Sequence, residues 1–145
     1  VTSPSGTTVV QGDGQVKGNF IWPLPVCTNV HQKYHSGHRA WDISSGPVSV
    51  LNKPILAADG GEVVFAGRYS GYGYMVRIKH SNGLETLYAH MNRIDVVKGQ
   101  KVSQGQQIGL AGSTGNSSGP HLHFEVIENG VKVNPANYLK PGSYR

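Results

Sequence analysis

After Pro47 the apolar residues of this chain fall into short runs separated by turn-forming residues, and within several runs they occupy every second position. Tyr74-Met75-Val76-Arg77-Ile78-Lys79-His80 alternates, turns at Ser81-Asn82-Gly83, and resumes as Leu84-Glu85-Thr86-Leu87-Tyr88-Ala89-His90. Two alternating runs joined by so short a polar turn predict a β-hairpin. Pro54-Ile55-Leu56-Ala57-Ala58 reaches the turn Asp59-Gly60-Gly61 and continues as Glu62-Val63-Val64-Phe65-Ala66-Gly67, a further pair of strands. Farther on, Pro120-His121-Leu122-His123-Phe124-Glu125-Val126 alternates again. Leu122, Phe124 and Val126 then share a core face, and His121 and His123 share the other, about 7 Å apart.

The rest of the chain is organised around these strands. The near-repeat Val97-Lys98-Gly99-Gln100-Lys101-Val102 and Ser103-Gln104-Gly105-Gln106-Gln107-Ile108 reads as short strands turning tight corners. Val131-Lys132-Val133-Asn134-Pro135 and Tyr138-Leu139 close the domain. Between Phe20 and Tyr34 the prolines flanking Leu24 predict an extended, meandering segment. Residues 1 to 18 are rich in Ser, Thr, Gly and Gln and read as a linker or flexible arm. The division is therefore an arm over residues 1–19 and a folded domain over 20–145. With 145 residues, 20 glycines, 8 prolines and no long helical pattern, the fold class is all-β and the domain count is one.

Charge and cysteine content narrow the partners. A net charge of +5 permits a polyanionic partner, but the Lys and Arg residues are scattered and no aromatic platform stands ready to stack bases, which argues against nucleic acid. Cys27 is the only cysteine, so no internal disulfide forms, and it reads as a small buried side chain. No segment is apolar enough for a membrane span, and Val1-Thr2-Ser3-Pro4 is no signal peptide, so the chain reads as a processed form or an excised domain.

Candidate chemistry gathers at the histidines. On the His121-x-His123 strand, one imidazole can bind a metal while the other reaches a metal-bound water or substrate. His38 and Asp42 add an imidazole and a carboxylate, both zinc donors. Four residues apart, they would be about 13 Å from one another on a straight strand, so the chain must curl if both are ligands. His90 has the parity of Thr86 and Tyr88 and stands at a strand end beside a loop, where catalytic side chains are often mounted. His35 reads as an incidental loop residue and His80 as a surface histidine. The stretch Gly112-Ser113-Thr114-Gly115-Asn116-Ser117-Ser118-Gly119 lacks the lysine of a phosphate loop and leads into a strand, so it reads as a mobile loop delivering the chain to His121.

Taken in order, His38-x3-Asp42, Tyr88-Ala89-His90 and His121-Leu122-His123, with the Gly-Gln repeat between the last two, resemble the lysostaphin-type zinc endopeptidases of bacterial cell walls over roughly residues 20 to 140. The resemblance implies a compact antiparallel β-sheet fold, sandwich- or barrel-like, with a narrow groove and one zinc ion. It implies that His38, Asp42 and His123 are metal ligands, that His90 and His121 are the catalytic histidines, and that Tyr34 lies where some members place a tyrosine that helps hold the tetrahedral intermediate. The implied activity is hydrolysis of peptidoglycan peptides, at a glycine-containing cross-bridge or a stem-peptide cross-link, by a monomer that is secreted or wall-associated. The chain has no His-Glu-x-x-His, so a histidine must serve as the base for a metal-activated water. Two rivals stand beside this reading. An inactive adaptor of the same fold would be expected to lose metal ligands, and here all three positions are filled. A lipoyl or biotinyl carrier would need a lysine in the hairpin turn, which Ser81-Asn82-Gly83 lacks.

Overall fold

The computed structural model describes residues 2–27, 29–44, 49–81, 83–117 and 119–139. Among these residues ten strands form one antiparallel sheet: β1 (Val30–Gln32), β2 (Trp41–Ile43), β3 (Pro54–Leu56), β4 (Gly61–Arg68), β5 (Tyr74–Lys79), β6 (Leu84–Ile94), β7 (Lys101–Val102), β8 (Gln107–Ala111), β9 (Leu122–Glu128) and β10 (Val131–Val133). The only helix among the described residues is two single 3-10 turns, Ser70–Tyr72 and Pro135–Asn137, and none is long and apolar enough to cross a membrane. The main path runs β1-β2-β9-β6-β5-β4-β7. β10 adds to β9, and β3 pairs with β8, which pairs in turn with the end of β6. The expected hairpin is β5–β6, with Val76 opposite Tyr88 and Ile78 opposite Thr86. Of its predicted turn, Asn82 lies outside the described residues, as does Ser118 of the Gly112–Gly119 loop.

Alternation sorts side chains onto two faces. Val76, Ile78, Tyr88, Leu122, Phe124 and Val126 are fully buried on one, joined by Trp22 and Trp41. Ile55 of β3 and Ile108 of β8 enter the same cluster, so the β3–β8 pair covers this face as a second layer. Each large side chain taken out of water here contributes about 1.5–3 kcal/mol. The opposite face carries a smaller apolar patch, Met75, Leu87, Ala89 and Ile127, against which Phe65 and Tyr72 pack. Register places Asp42 opposite His123 and His123 opposite Ala89 on that same face.

β6 does not end at His90 as the pattern predicts. It continues to Ile94, and the register with β5 jumps from Val76↔Tyr88 to Tyr74↔Met91. Met75 alone therefore faces both Ala89 and His90, a β-bulge of two residues against one. His90 takes φ 59°, a left-handed conformation uncommon outside glycine. Parity would have sent His90 into the core with Tyr88. The extra residue re-aims it, and beyond the bulge the strand is free to pair with β8 through Met91↔Ala111.

The Gly-Gln near-repeat forms two matching corners. Gly99 and Gly105 have φ of 93° and 81°, at the third position of turns that Gln100 and Gln106 close onto Val97 and Ser103. The side-chain oxygens of the two glutamines accept the Val97 and Ser103 N–H groups at 2.8 and 3.0 Å. Their Nε2 groups both donate to the Val10 carbonyl, at 2.9 and 2.7 Å. The N-terminal stretch is thus laid along the domain, and further along it Lys17 and Gly18 donate their N–H groups to the Asp59 carboxylate.

His80 is not on the surface. It is 8% exposed, and its Nδ1 donates to the Gly60 carbonyl at 2.8 Å, which leaves Nε2 to accept from the Thr86 hydroxyl at 2.9 Å. Thr86 accepts from Tyr88 at 2.7 Å, and the Tyr88 oxygen accepts the Ala58 N–H at 2.9 Å. Every polar group in this chain of bonds is satisfied only while His80 is neutral, because a proton on Nε2 would make the Thr86 oxygen an acceptor from both sides and leave one hydroxyl proton without an acceptor. Burial pushes the imidazole below its ordinary value, against the Gly60 bond and the charges of Asp59 and Glu85. The unfolded histidine, with a pKa near 6.5, therefore takes up a proton first as the pH falls. Its contribution to stability is whole above that value and is lost as the pH falls from there through the lower folded value. In urea unfolding of metal-free protein, the stability gap between native and His80→Gln should narrow between pH 7.5 and pH 5.5, and a gap that stays constant or widens would refute this assignment.

Candidate metal centre and active site

Asp42 and His123 come from neighbouring strands in register, so their side chains project side by side. His123 Nδ1 lies 3.0 Å from Asp42 Oδ1. His38 reaches them through a tight turn in which His35 and His38 exchange both backbone hydrogen bonds, each 2.9 Å. That is the curl the four-residue spacing requires. His38 Nε2 comes within 3.1 Å of Asp42 Oδ2, and one donor atom from each of His38, Asp42 and His123 lies within 4.8 Å of the other two. Among the described residues this is the one such group of three or more.

The donor set fits zinc. Bonds of about 2.0–2.2 Å to imidazole nitrogen and carboxylate oxygen are within reach of all three side chains. His38 Nε2 is buried and, although 3.1 Å from Asp42 Oδ2, makes no aligned hydrogen bond, an arrangement that an ion between the two would satisfy. The other nitrogens of the two histidines already have acceptors: the Lys33 carbonyl stands 3.4 Å from His38 Nδ1 and Glu125 Oε2 stands 2.8 Å from His123 Nε2. Each ring is thereby turned with its remaining nitrogen toward Asp42. Burial works against the Asp42 charge, but the bond to His123 and the charges of His121, His123 and His38 outweigh it and hold the carboxyl below the usual range. Burial also opposes a charged His123, yet Asp42 and Glu125 together raise it to about 8.

His90 and His121 stand beside this cluster. Their ring centroids are 4.8 Å apart, and His90 lies 5.6 Å from His123. His90 Nδ1 donates to the Thr114 carbonyl at 2.7 Å and His121 Nδ1 to the Gly119 carbonyl at 2.9 Å. In both rings Nε2 is the free nitrogen, and that of His121 is 3.6 Å from Asp42 Oδ1. Burial, with the neighbouring imidazoles, pushes His90 below its ordinary value and favours the neutral base, against the Thr114 bond. A cavity of about 310 Å³ lined by Tyr69, Tyr72, His90 and Asn116 opens on one side. Another of about 280 Å³ lined by His31, Ser44, Asp42 and His121 opens on the other. Two cavities thus adjoin the cluster, one at His90 and one at Asp42 and His121.

The structure brings together His38, Asp42, His90, His121 and His123. The Tyr34 hydroxyl donates to the Lys132 carbonyl at 3.4 Å, and a second tyrosine, Tyr72, packs its ring 5.5 Å from that of His123. His35 bonds within its own turn, through Nδ1 to the Gly37 N–H. Sequence reasoning passed over Thr114 and Tyr72, which carry no spacing signal of their own. It also passed over Glu125, whose parity with His121 and His123 was the one available sign.

A carboxylate and two imidazoles thus lie close enough together to share one metal ion, with two further imidazoles beside them. Residues 36–135 match the model of Peptidase family M23, and the chain belongs to that family. It is 40% identical over 139 residues, 89% of this chain and 32% of the relative, to the DD-carboxypeptidase/endopeptidase Mpg of Neisseria meningitidis. Among solved structures it resembles a zinc-containing peptidase from Vibrio cholerae, with a TM-score of 0.71 and 29% identity over 80% of this chain and 39% of that one. It also resembles the catalytic domain of the antimicrobial peptidase lysostaphin from Staphylococcus simulans, with a TM-score of 0.64 and 28% identity over 76% of this chain and 88% of that one. The chain spans about a third of the length of the Neisseria relative.

The loop that carries Thr114 is held against the Ser70–Tyr72 turn by two glycines. A Cβ on Gly115, where φ is 75°, would sit 2.4 Å from the Gly73 nitrogen and 2.6 Å from the Gly71 carbonyl oxygen. Gly115→Ala should cost about 1–3 kcal/mol of stability and, by moving the Thr114 carbonyl, shift the His90 imidazole resonances in NMR while the far-UV circular dichroism stays native.

Proposed function

We propose that this domain is a zinc-dependent endopeptidase that cleaves peptide cross-links of bacterial peptidoglycan at the cell envelope, with residues 20–145 as the catalytic unit. The observation that carries the reading is the convergence of His38, Asp42 and His123 with the free nitrogens of His90 and His121 beside them. Zinc held by His38 Nε2, Asp42 and His123 Nδ1 would supply a Lewis acid that polarises a carbonyl and acidifies water.

The chain's own residues do the rest. The cavities beside His90 and His121 would take the two flanks of an extended peptide laid across the cluster. His90 and His121, with their Nδ1 protons committed to Thr114 and Gly119, offer Nε2 as acceptor for the proton of the attacking water. Once protonated, the same imidazoles can donate to the developing oxyanion or return the proton to the leaving amine. The net charge of +5 suits approach to an anionic wall, and the endopeptidase activity in the name of the Neisseria DD-carboxypeptidase/endopeptidase supports a peptide cross-link as the bond.

Purified walls with different cross-bridges, incubated with and without a chelator and read by mass spectrometry, test the proposal. New chain ends that appear only with metal are expected, and they identify the bond. No release from any wall by zinc-loaded protein would turn the reading toward an adaptor of the same fold. His121→Ala should lower turnover about 10²- to 10⁴-fold with zinc still bound. His123→Ala should lose the metal itself, and zinc missing from the His121 variant instead would reverse the roles assigned to the two strand histidines.

A further inference from the structure

Glu125 is 1% exposed, and one of its oxygens, Oε1, is buried without a partner. A buried carboxylate that leaves an oxygen unsatisfied is a poor source of stability. Its other oxygen is crowded with donors: His123 Nε2 at 2.8 Å, the Tyr72 hydroxyl at 2.7 Å and Lys132 Nζ at 3.3 Å. Lys132 Nζ also donates to the Tyr72 oxygen at 2.9 Å. These groups arrive from separate elements. Glu125 follows His123 by two residues on β9, Lys132 stands on β10 and Tyr72 ends a 3-10 turn.

The consequence for His123 is geometric. An imidazole between two carboxylates can be fixed in either tautomer. With Glu125 occupying Nε2, the nitrogen left to face Asp42 and His38 is Nδ1. Tyr72, fixed by the same oxygen, packs its ring 5.5 Å from that of His123 and lines the cavity beside His90. One carboxylate oxygen thus joins a candidate metal ligand to a wall of that cavity.

We infer that Glu125, with its charge balanced by Lys132, is a positioning residue that orients His123 for metal binding and ties Tyr72 to it. The inference rests on the metal-centre reading above. Hydrogen-bonded partners of metal-ligating histidines act in this way, fixing ring and tautomer and raising ligand basicity.

The test compares the native domain with Glu125→Gln, which keeps an acceptor oxygen, and with the double variant Glu125→Met/Lys132→Met. The double variant removes the acceptor without leaving a charge buried and unpaired, so it is expected to fold. Zinc affinity is read by chelator competition, geometry by the absorption spectrum of the cobalt-substituted protein, and folding by thermal unfolding of the metal-free forms. Loss of the acceptor should weaken zinc about 10- to 100-fold and change the cobalt spectrum, while Glu125→Gln stays within about threefold of native. A native protein that binds no zinc would overturn the metal-centre reading and this inference with it. A native protein that binds zinc no more tightly than the double variant, with an unchanged cobalt spectrum, would overturn this inference alone. So would a Glu125→Gln variant as weak as the double one.

Discussion

The structure turns on one row across three strands: Asp42 on β2, His123 on β9 and Ala89 on β6, opposite one another in antiparallel register. Side chains in such a row stand about 5 Å apart on one face, close enough for a carboxylate and an imidazole to share an ion. The register is held from behind by the core. Ile43, Leu122, Phe124 and Tyr88 are buried on the other face, and a slip of one residue would exchange the two faces. Burial of apolar side chains on one side of the sheet thus aligns the polar ones on the other.

A flat row would still be an incomplete site. The bulge opposite Met75 turns His90 out of the core, and Thr114 then fixes its ring. That loop is pinned in turn: the Thr114 hydroxyl accepts the Tyr74 N–H at 3.1 Å, and Gly115 lies against Gly73. A strained backbone at His90 costs on the order of 1–3 kcal/mol and persists because β5, β8 and the Thr114 loop all hold the strand around it. Two polar networks show how differently the interior treats its imidazoles. At His80 every bond is internal and the ring is sealed in. At His123 both nitrogens meet carboxylates, and the neighbouring His38 nitrogen makes no aligned hydrogen bond.

Much of this was legible along the chain. The β5–β6 hairpin and the core face of β9 follow directly from alternation, because a strand half-buried in a sheet must alternate. The spacing from His38 to Asp42 demanded a curl, and the His35–His38 turn supplies it. Other features left no such trace. Alternation could not reveal the bulge, since it needs one residue more on β6 than on β5, and that count depends on both strands. His80 looked exposed beside its turn because the groups that bury it, Gly60 and Phe20, are distant in sequence. The N-terminal stretch looked unanchored because its partners are the Gln100 and Gln106 side chains.

The sequence by itself determined the central strands, the face on which each candidate histidine of β9 lies, and a set of residue types able to bind a metal, because these depend on local periodicity and on donor chemistry. The tertiary structure decided which nitrogen of each imidazole is free, how His90 leaves the core, and how Tyr72, Thr114 and Glu125 join the site. Those are matters of contact between segments far apart in the chain, and no local pattern records them.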